Sequence, residues 1–387
     1  MNEKAPLRHY LDWAATAIPD SLIDPGNTET RKAIFGNPSS HHAEGRLARE
    51  ALENARSRCA KVLGVKSGSL YFTSGGTESN ALVLYSLLRR KWNGRLLYSA
   101  IEHPSVRENC LVLERLGIPS RIISVEKDGR VTEATMARAL EKASDARFAA
   151  VMGVNNETGS LMDIGALVPQ VRSLEAPVHF HTDLVQALGK VPVHLSAWDV
   201  DSASFSAHKL GGPRGIGLLY LKKPLEPLYT GGEQEGGVRP GTENTQGAIA
   251  MADLLEHRAA PEAVKKEQAG AAERMKYLIG RLKKRSRCTL IPEDREEEDP
   301  RFSPWILQAR FREVPGLVMV RALDDAGVAV STGSACSSAS PDRPVLAAMG
   351  VDESQRLEGI RISQGWSTTI ADMDALLAGL EKTLSFL

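Results

Sequence analysis

Seven short apolar runs, separated by longer stretches of helical periodicity, constrain the fold of this chain more than any other feature. They are Leu70 to Thr73, Leu96 to Ser99, Arg121 to Ser124, Phe148 to Val154, Val178 to Thr182, Ser202 to Ser206 and Gly217 to Leu221. Strands that alternate with helices are joined by crossovers, which leave neighbouring strands parallel. The pattern therefore predicts an α/β fold on a mainly parallel seven-stranded sheet. Helices are expected to begin near Gly76, His103, Thr132, Asp163 and Leu184. After residue 256 the character changes. A charged helical stretch from Ala263 to Arg285 gives way to Cys288 to Pro292 and then to an acidic run, Glu293 to Asp299, that reads as a solvated loop. Strand-like Trp305 to Phe311, a helix near Leu317 to Ala326 and a last helix from Ile370 follow, and together predict a smaller α+β domain. The expected division is a large domain over 15–256 and a small domain made of 1–14 with 257–387, the first twenty residues packing on the latter.

At 387 residues the chain can bury a substantial core. Its 48 basic residues balance 48 acidic ones, which removes the global field that would hold nucleic acid or an anionic membrane surface. Partners must then be recognised locally. The four cysteines, Cys59, Cys110, Cys288 and Cys336, lie far apart with no C-x-x-C pair, the usage of a reducing compartment rather than a disulfide framework. No segment approaches about eighteen apolar residues, and Met1 to Trp13 lacks the apolar run of a signal peptide, so a soluble cytoplasmic protein is expected.

Ligands of open α/β sheets bind beyond the carboxyl ends of the strands, and here the residues that end the runs share one chemistry. Ser206-Ala207-His208-Lys209-Leu210-Gly211-Gly212-Pro213 places a lysine beside phosphate-compatible side chains directly after a strand. A pyridoxal-phosphate site presents its lysine this way, with burial or nearby positive charge making the amine a nucleophile toward an aldehyde. The same residues also suit a surface lysine before a turn. Leu70-Tyr71-Phe72-Thr73 runs into Ser74-Gly75-Gly76-Thr77-Glu78-Ser79, a strand, glycine turn and helix N-terminus whose N–H groups can cradle phosphate. Asp183 closes another run, with Gln186 three residues on. A carboxylate there can pair with a protonated pyridine nitrogen and a carboxamide can reach a ring oxygen, while Asp183 can equally cap a helix. His179, His181 and Asp183 alternate along a strand, which is also metal-ligand spacing, and a metallohydrolase could complete the shell with His208 or His194. That reading leaves Lys209, the glycine turn and Gln186 without a role.

From Tyr10-Leu11-Asp12 to the C-terminal helix the chain resembles the cysteine desulfurases of the NifS/IscS type, in the class V aminotransferase group of fold type I pyridoxal-phosphate enzymes. The resemblance is carried in order by Gly36-Asn37-Pro38-Ser39-Ser40-His41, Gly75-Gly76-Thr77-Glu78-Ser79, Glu102-His103 and Val154-Asn155-Asn156-Glu157-Thr158-Gly159. It continues through His181-Thr182-Asp183 with Gln186, Ser206-Ala207-His208-Lys209, Gly236 to Asn244, Ser334-Ala335-Cys336-Ser337-Ser338 and Ile360-Arg361-Ile362-Ser363.

The resemblance implies pyridoxal 5'-phosphate as cofactor and conversion of L-cysteine to L-alanine. The sulfur would be left on Cys336 as a persulfide for a sulfur-acceptor protein, in iron–sulfur cluster assembly or tRNA thiolation. Lys209 would carry the cofactor and move the α-proton, His103 would stack on the pyridine ring, Asp183 would pair with its nitrogen, and Gln186 and Asn156 would contact its face or phenolic oxygen. Gly76, Thr77, Ser206 and His208 would hold the phosphate, with Thr242 from the second subunit of a homodimer completing that site. Arg361 would grip the substrate carboxylate as a fork, with Asn37 nearby. Cys336 lies in a run of small residues, Ser331 to Ser340, expected to form a loop that lets a thiolate reach the substrate, whereas Cys59 and Cys110 sit in helical patterns as small buried hydrophobes. No metal is expected. A selenocysteine lyase or an aminotransferase on the same fold is disfavoured by the acceptor cysteine, and a catalytically silent interaction protein by Lys209, Asp183, Arg361 and Cys336. Two departures bear on partner docking and loop reach. Gly365 is followed by Trp366 where these enzymes usually carry a second arginine, and Pro341 to Glu358 matches loosely.

Overall fold

The computed structural model describes residues 8–21, 34–89, 92–333 and 342–386. Its strands in chain order are β1 (His9–Tyr10), β2 (Leu70–Thr73), β3 (Arg95–Ser99), β4 (Ser120–Ile123), β5 (Ala146–Ala150) and β6 (His179–Asp183). They continue with β7 (Ser202–Ser206), β8 (Gly217–Leu221), β9 (Cys288–Ile291), β10 (Ile306–Phe311), β11 (Val328–Ala329) and β12 (Gly359–Ser363). Seven of them form one sheet in the order β2-β8-β7-β6-β5-β3-β4. Only β8 runs against its neighbours, β2 and β7, and the remaining pairings are parallel. The expected mainly parallel sheet is present. Leu97, Ala149, Phe180 and Ala203 enter one apolar cluster, while Leu96, Tyr98, Phe148 and Ala150 enter another. Alternate side chains of a strand thus reach different cores, which explains why the runs are continuously apolar instead of alternating with polar residues.

Several helices start where a side chain satisfies a free N–H group. His103 caps Pro104–Arg115, Thr132 and Thr135 make a reciprocal capping box at Glu133–Glu141, and Asp163 caps Ile164–Arg172. The helix expected near Leu184 does not form. Asp183 Oδ1 accepts from the Val185 N–H at 3.0 Å, a local bond that competes with helix, and residues 185–190 are turns. The strand expected over Phe148 to Val154 ends at Ala150, because the Met152 N–H donates to the buried carboxylate of Glu102 at 2.7 Å.

A second sheet, β12-β10-β9, is antiparallel. Helices Pro261–Leu282, Gly316–Asp325 and Ile370–Phe386 contribute Leu278, Met319 and Leu376 to a separate apolar cluster with Leu307 and Ile362. The acidic run is a loop, but a solvated one only in part. Arg295, 2 % exposed, donates to the carbonyls of Thr158, Ile306 and Ser303, tying the loop to the interior. The N-terminal segment serves both halves. β1 pairs in parallel with β11, whereas the Ala17 N–H donates to the His208 carbonyl and the Asp20 N–H to the Gly211 carbonyl. Trp366 is held by aromatic packing and by a cation. Its ring lies 6.0 Å from Trp13 and 5.6 Å from Trp305, with the Arg258 guanidinium 5.0 Å above it. Gly365 makes room, because a Cβ there would fall 1.9 Å from Trp13 Cδ2. Among the described residues no helix is long and apolar enough to cross a membrane.

Candidate active site

Segments that leave the carboxyl ends of β2, β3, β5, β6 and β7 meet around a cavity of about 240 Å³. Gly76 and Thr77 bring the N-terminus of Gly76–Ser86 to its wall, where no side chain caps the helix. A Cβ on Gly76 would lie 2.6 Å from Val185 Cγ2, so the turn can approach this closely only as glycine. Ser206 and His208 lie on the same cavity. His208 Nδ1 pairs with Thr16 Oγ1 at 3.1 Å. Burial, reinforced by Lys209, Arg214 and Lys190, pushes its pKa down to about 4, so the ring is neutral at pH 7.

Lys209 follows β7 and turns its Nζ into the cavity region, donating to the carbonyls of Ala14 at 2.6 Å and Ala15 at 2.7 Å. Asp183, 5 % exposed, accepts from Asn80 Nδ2 at 2.8 Å and from the Val185 N–H. It forms no salt bridge among the described residues, so a buried carboxylate faces the cavity with neutral partners alone. His103 also lines the cavity; burial lowers its pKa, with Asp183 opposing the shift and Lys209 and Arg107 adding to it. Gln186 donates to the Ala14 carbonyl at 2.9 Å and accepts at 3.2 Å from Lys190, a wholly buried lysine that burial pushes down to about 7. Asn156 and Arg361 form another part of the wall. Arg361 is 1 % exposed, with Nη1 donating to the Asn156 carbonyl at 2.9 Å, Nη2 donating to Asp12 Oδ1 at 2.8 Å, and Nε meeting no partner among the described residues.

The cavity therefore gathers Gly76, Thr77, His103, Asn156, Asp183, Gln186, Ser206, His208, Lys209 and Arg361. Asn37 and Thr242 are exposed and away from it, and Cys336 lies outside the described residues. A larger cleft of about 840 Å³ between Lys61 and Gln268 collects none of these groups. The His-x-His-x-Asp ladder is committed elsewhere. His179 and His181 both bond Ser202 Oγ, at 2.7 and 2.8 Å, and the other nitrogen of His181 meets Asn80 Oδ1 at 2.9 Å. Ring nitrogens engaged this way do not converge on a metal, and the metallohydrolase reading has no geometry to stand on.

Several participants escaped the sequence. Asp12 holds Arg361, and its only signal was its place in Tyr10-Leu11-Asp12. Asn80 lies one helical turn after Thr77, a spacing that does place it near the strand ends. The Ala14 and Ala15 carbonyls carry no side-chain signal at all.

Comparison with known proteins gives a consistent picture. The family model described as Aminotransferase class-V matches residues 9–376. A cysteine desulfurase IscS of Dictyoglomus turgidum is 37 % identical over 380 residues, covering 97 % of this chain and 94 % of that protein. A cysteine desulfurase of Bradyrhizobium diazoefficiens is 35 % identical over 391 residues, covering 99 % and 95 %. Among solved structures, a NifS-like protein superposes with a TM-score of 0.89 at 31 % identity, covering 98 % of this chain and 100 % of its own. SspA, solved in complex with cysteine, superposes with a TM-score of 0.78 at 26 % identity, covering 92 % and 98 %.

Proposed function

The chain belongs to the class V aminotransferase family and is a cysteine desulfurase of the NifS/IscS type, and from that premise we propose how its residues divide the work. The cavity suits pyridoxal 5'-phosphate. An amine, a glycine turn at an uncapped helix N-terminus and a buried carboxylate without a cationic partner are what an aldehyde, a phosphate and a protonated pyridine nitrogen require. When bound, the group supplies an electron sink that weakens bonds at the substrate α-carbon and, one atom on, the Cβ–S bond. Lys209 holds the cofactor and moves the α-proton. Asp183 pairs with the ring nitrogen, His103 stacks on the ring, and Gln186 with Asn156 contacts its face or phenolic oxygen. Gly76, Thr77, Ser206 and His208 take the phosphate. Arg361, already held by Asp12, binds the substrate carboxylate with the donors that remain. Cys336 attacks the substrate sulfur. The S–S bond forms as Cβ–S breaks, the electron pair of that bond stays with the carbon fragment, Cβ takes up a proton, Lys209 returns one to Cα, and the fragment leaves as alanine.

The observation that carries this reading is the convergence of Lys209, Asp183, His103 and the Gly76–Thr77 turn on one cavity with Arg361 in its wall. The purified protein is expected to be yellow. Borohydride should erase the visible band and leave a pyridoxyl group on Lys209, and L-cysteine should be converted to alanine with sulfur retained on the protein. A colourless protein that produces no alanine with added pyridoxal 5'-phosphate would refute the assignment.

The same reading assigns cofactor binding to 15–256 and the cysteine-bearing portion to 1–14 with 257–387, in a cytoplasmic homodimer that passes sulfur to an acceptor protein. Thr242 is exposed on its own chain, in a glycine-rich segment whose Glu235 carboxylate is gripped by Arg56 and by the Phe72 N–H. It is thereby free to serve a second subunit's phosphate site. Mixing Lys209→Ala chains with chains made substantially inactive at Thr242, under conditions of demonstrated subunit exchange, should restore activity, since one site of each hybrid retains both residues. No recovery, or a fully active monomer, would count against a shared site.

A further inference from the structure

The histidine ladder that mimics a metal site leads into the cofactor pocket by another route. A carboxylate only accepts, so Asn80 Nδ2, 2.8 Å from Asp183 Oδ2, donates. The second hydrogen of the same nitrogen points to Ser105 Oγ, also at 2.8 Å. Asn80 Oδ1 is then fixed as the acceptor toward His181 Nε2 at 2.9 Å, and His181 must carry its proton there. Burial keeps His181 neutral, with its pKa pushed down to about 3, so its bare Nδ1 accepts from Ser202 Oγ. With that hydrogen spent, Ser202 Oγ accepts from His179 Nε2 at 2.7 Å. On the other branch Ser105 Oγ, having accepted from Asn80, donates to His103 Nδ1 at 2.8 Å, the atom that also accepts from the Ser105 N–H at 3.1 Å. Every link has one direction. Asn80, Ser202 and His181 are fully buried, so no water need intervene at these links.

Resting on the cofactor reading above, we propose that Asn80 is a positioning residue at the branch point of a one-way hydrogen-bond chain. The chain runs from His179 to Asp183 and His103, holding the carboxylate that faces the ring nitrogen and fixing the His103 proton on Nε2. Asn80 is buried behind the cavity and does not line it; it acts through Asp183 and Ser105. With Nδ1 occupied, His103 offers a donor to the cavity and no lone pair.

Two measurements test this. In the ¹⁵N-histidine spectrum of the loaded wild-type protein at pH 7.5, His103, His179 and His181 should each be neutral with the proton on Nε2. A cationic His181 or a His103 protonated on Nδ1 overturns the chain without any variant. In Asn80→Leu loaded with ¹⁵N-labelled cofactor, the ring-nitrogen signal should move toward the unprotonated position. Its kcat should fall on the order of 10-fold to 100-fold, the scale of losing a supporting partner, while KM for cysteine holds because Arg361 is untouched. His181→Gln, which can still donate to Asn80 Oδ1, should stay near wild type where His181→Leu does not. An unmoved ring signal, or a loss confined to KM, overturns the role of Asn80. A wild-type protein that takes up no cofactor sinks the reading beneath it instead.

Discussion

Lys209→Ala is expected to lose the visible absorption and to lower alanine formation by at least about 10,000-fold, since on the proposed assignment it removes both the covalent anchor and the group that moves the α-proton. Nothing else in the cavity can stand in. Lys190 is the nearest amine in kind, and burial lowers its pKa into a reactive range, but its Nζ is spent on Gln186 Oε1 at 3.2 Å and it does not line the cavity. The guanidinium of Arg361 is not an amine nucleophile and cannot form the bond. The variant should remain folded, because the side chain is lost from the edge of a space water can enter, where the Ala14 and Ala15 carbonyls that accepted from it can be hydrated. Absorbance, borohydride trapping and alanine release measured together decide the matter. Normal alanine production by Lys209→Ala, or a pyridoxyl group trapped on Lys190, would place the anchor elsewhere.

Cys336→Ser is expected to keep the cofactor band and to bind cysteine, yet form no protein persulfide, a loss on the order of 1,000-fold or more if the thiolate is the nucleophile. The other three cysteines make poor substitutes for a physical reason. Cys59 and Cys110 are 0 % exposed, and burial pushes the Cys59 thiol up to about 12 and Cys110 up further. Burial does the same to Cys288, also to about 12. A thiol at about 12 is ionised in fewer than about one molecule in 10,000 at pH 7.5. Replacing each of the three with alanine should therefore leave the persulfide in place, read as the mass of one added sulfur on the peptide that carries Cys336. A persulfide on Cys59, Cys110 or Cys288 would overturn the assignment.

Most of the architecture was legible because local and global preferences agree. β2, β7 and β8 begin and end where their apolar runs do, and the caps at His103, Thr132 and Asp163 sit at the expected helix starts. The misreadings occur where a buried carboxylate captures a backbone N–H. Asp183 takes that of Val185 and prevents a helix, while Glu102 takes that of Met152 and ends β5 early. Glu102 sits so deep that burial raises its pKa to about 8, and only the Ser99 hydroxyl and that N–H hold one of its oxygens. The Glu102 contact joins positions 50 apart in sequence, and the local Asp183 contact breaks a helix its neighbours favour; neither leaves a periodic trace. Within the site, groups that carry their own chemistry could be read from spacing, as Lys209, Asp183 and Gln186 were. Asp12 and the Ala14 and Ala15 carbonyls acquire a role only through the fold.

The crossing of the N-terminal segment has a consequence for how the enzyme is born. Arg361 stands in the cavity wall held by Asp12, 349 positions away, and the Ala14 N–H donates to Ser363 Oγ. On a ribosome the Lys209 loop emerges long before β12, so the nascent sheet holds its lysine beside an unfinished pocket. Contacts this distant in sequence form late and slowly. The cavity can close only after synthesis has passed Ser363, which makes the ability to mobilise sulfur a property of completed chains and denies it to stalled fragments.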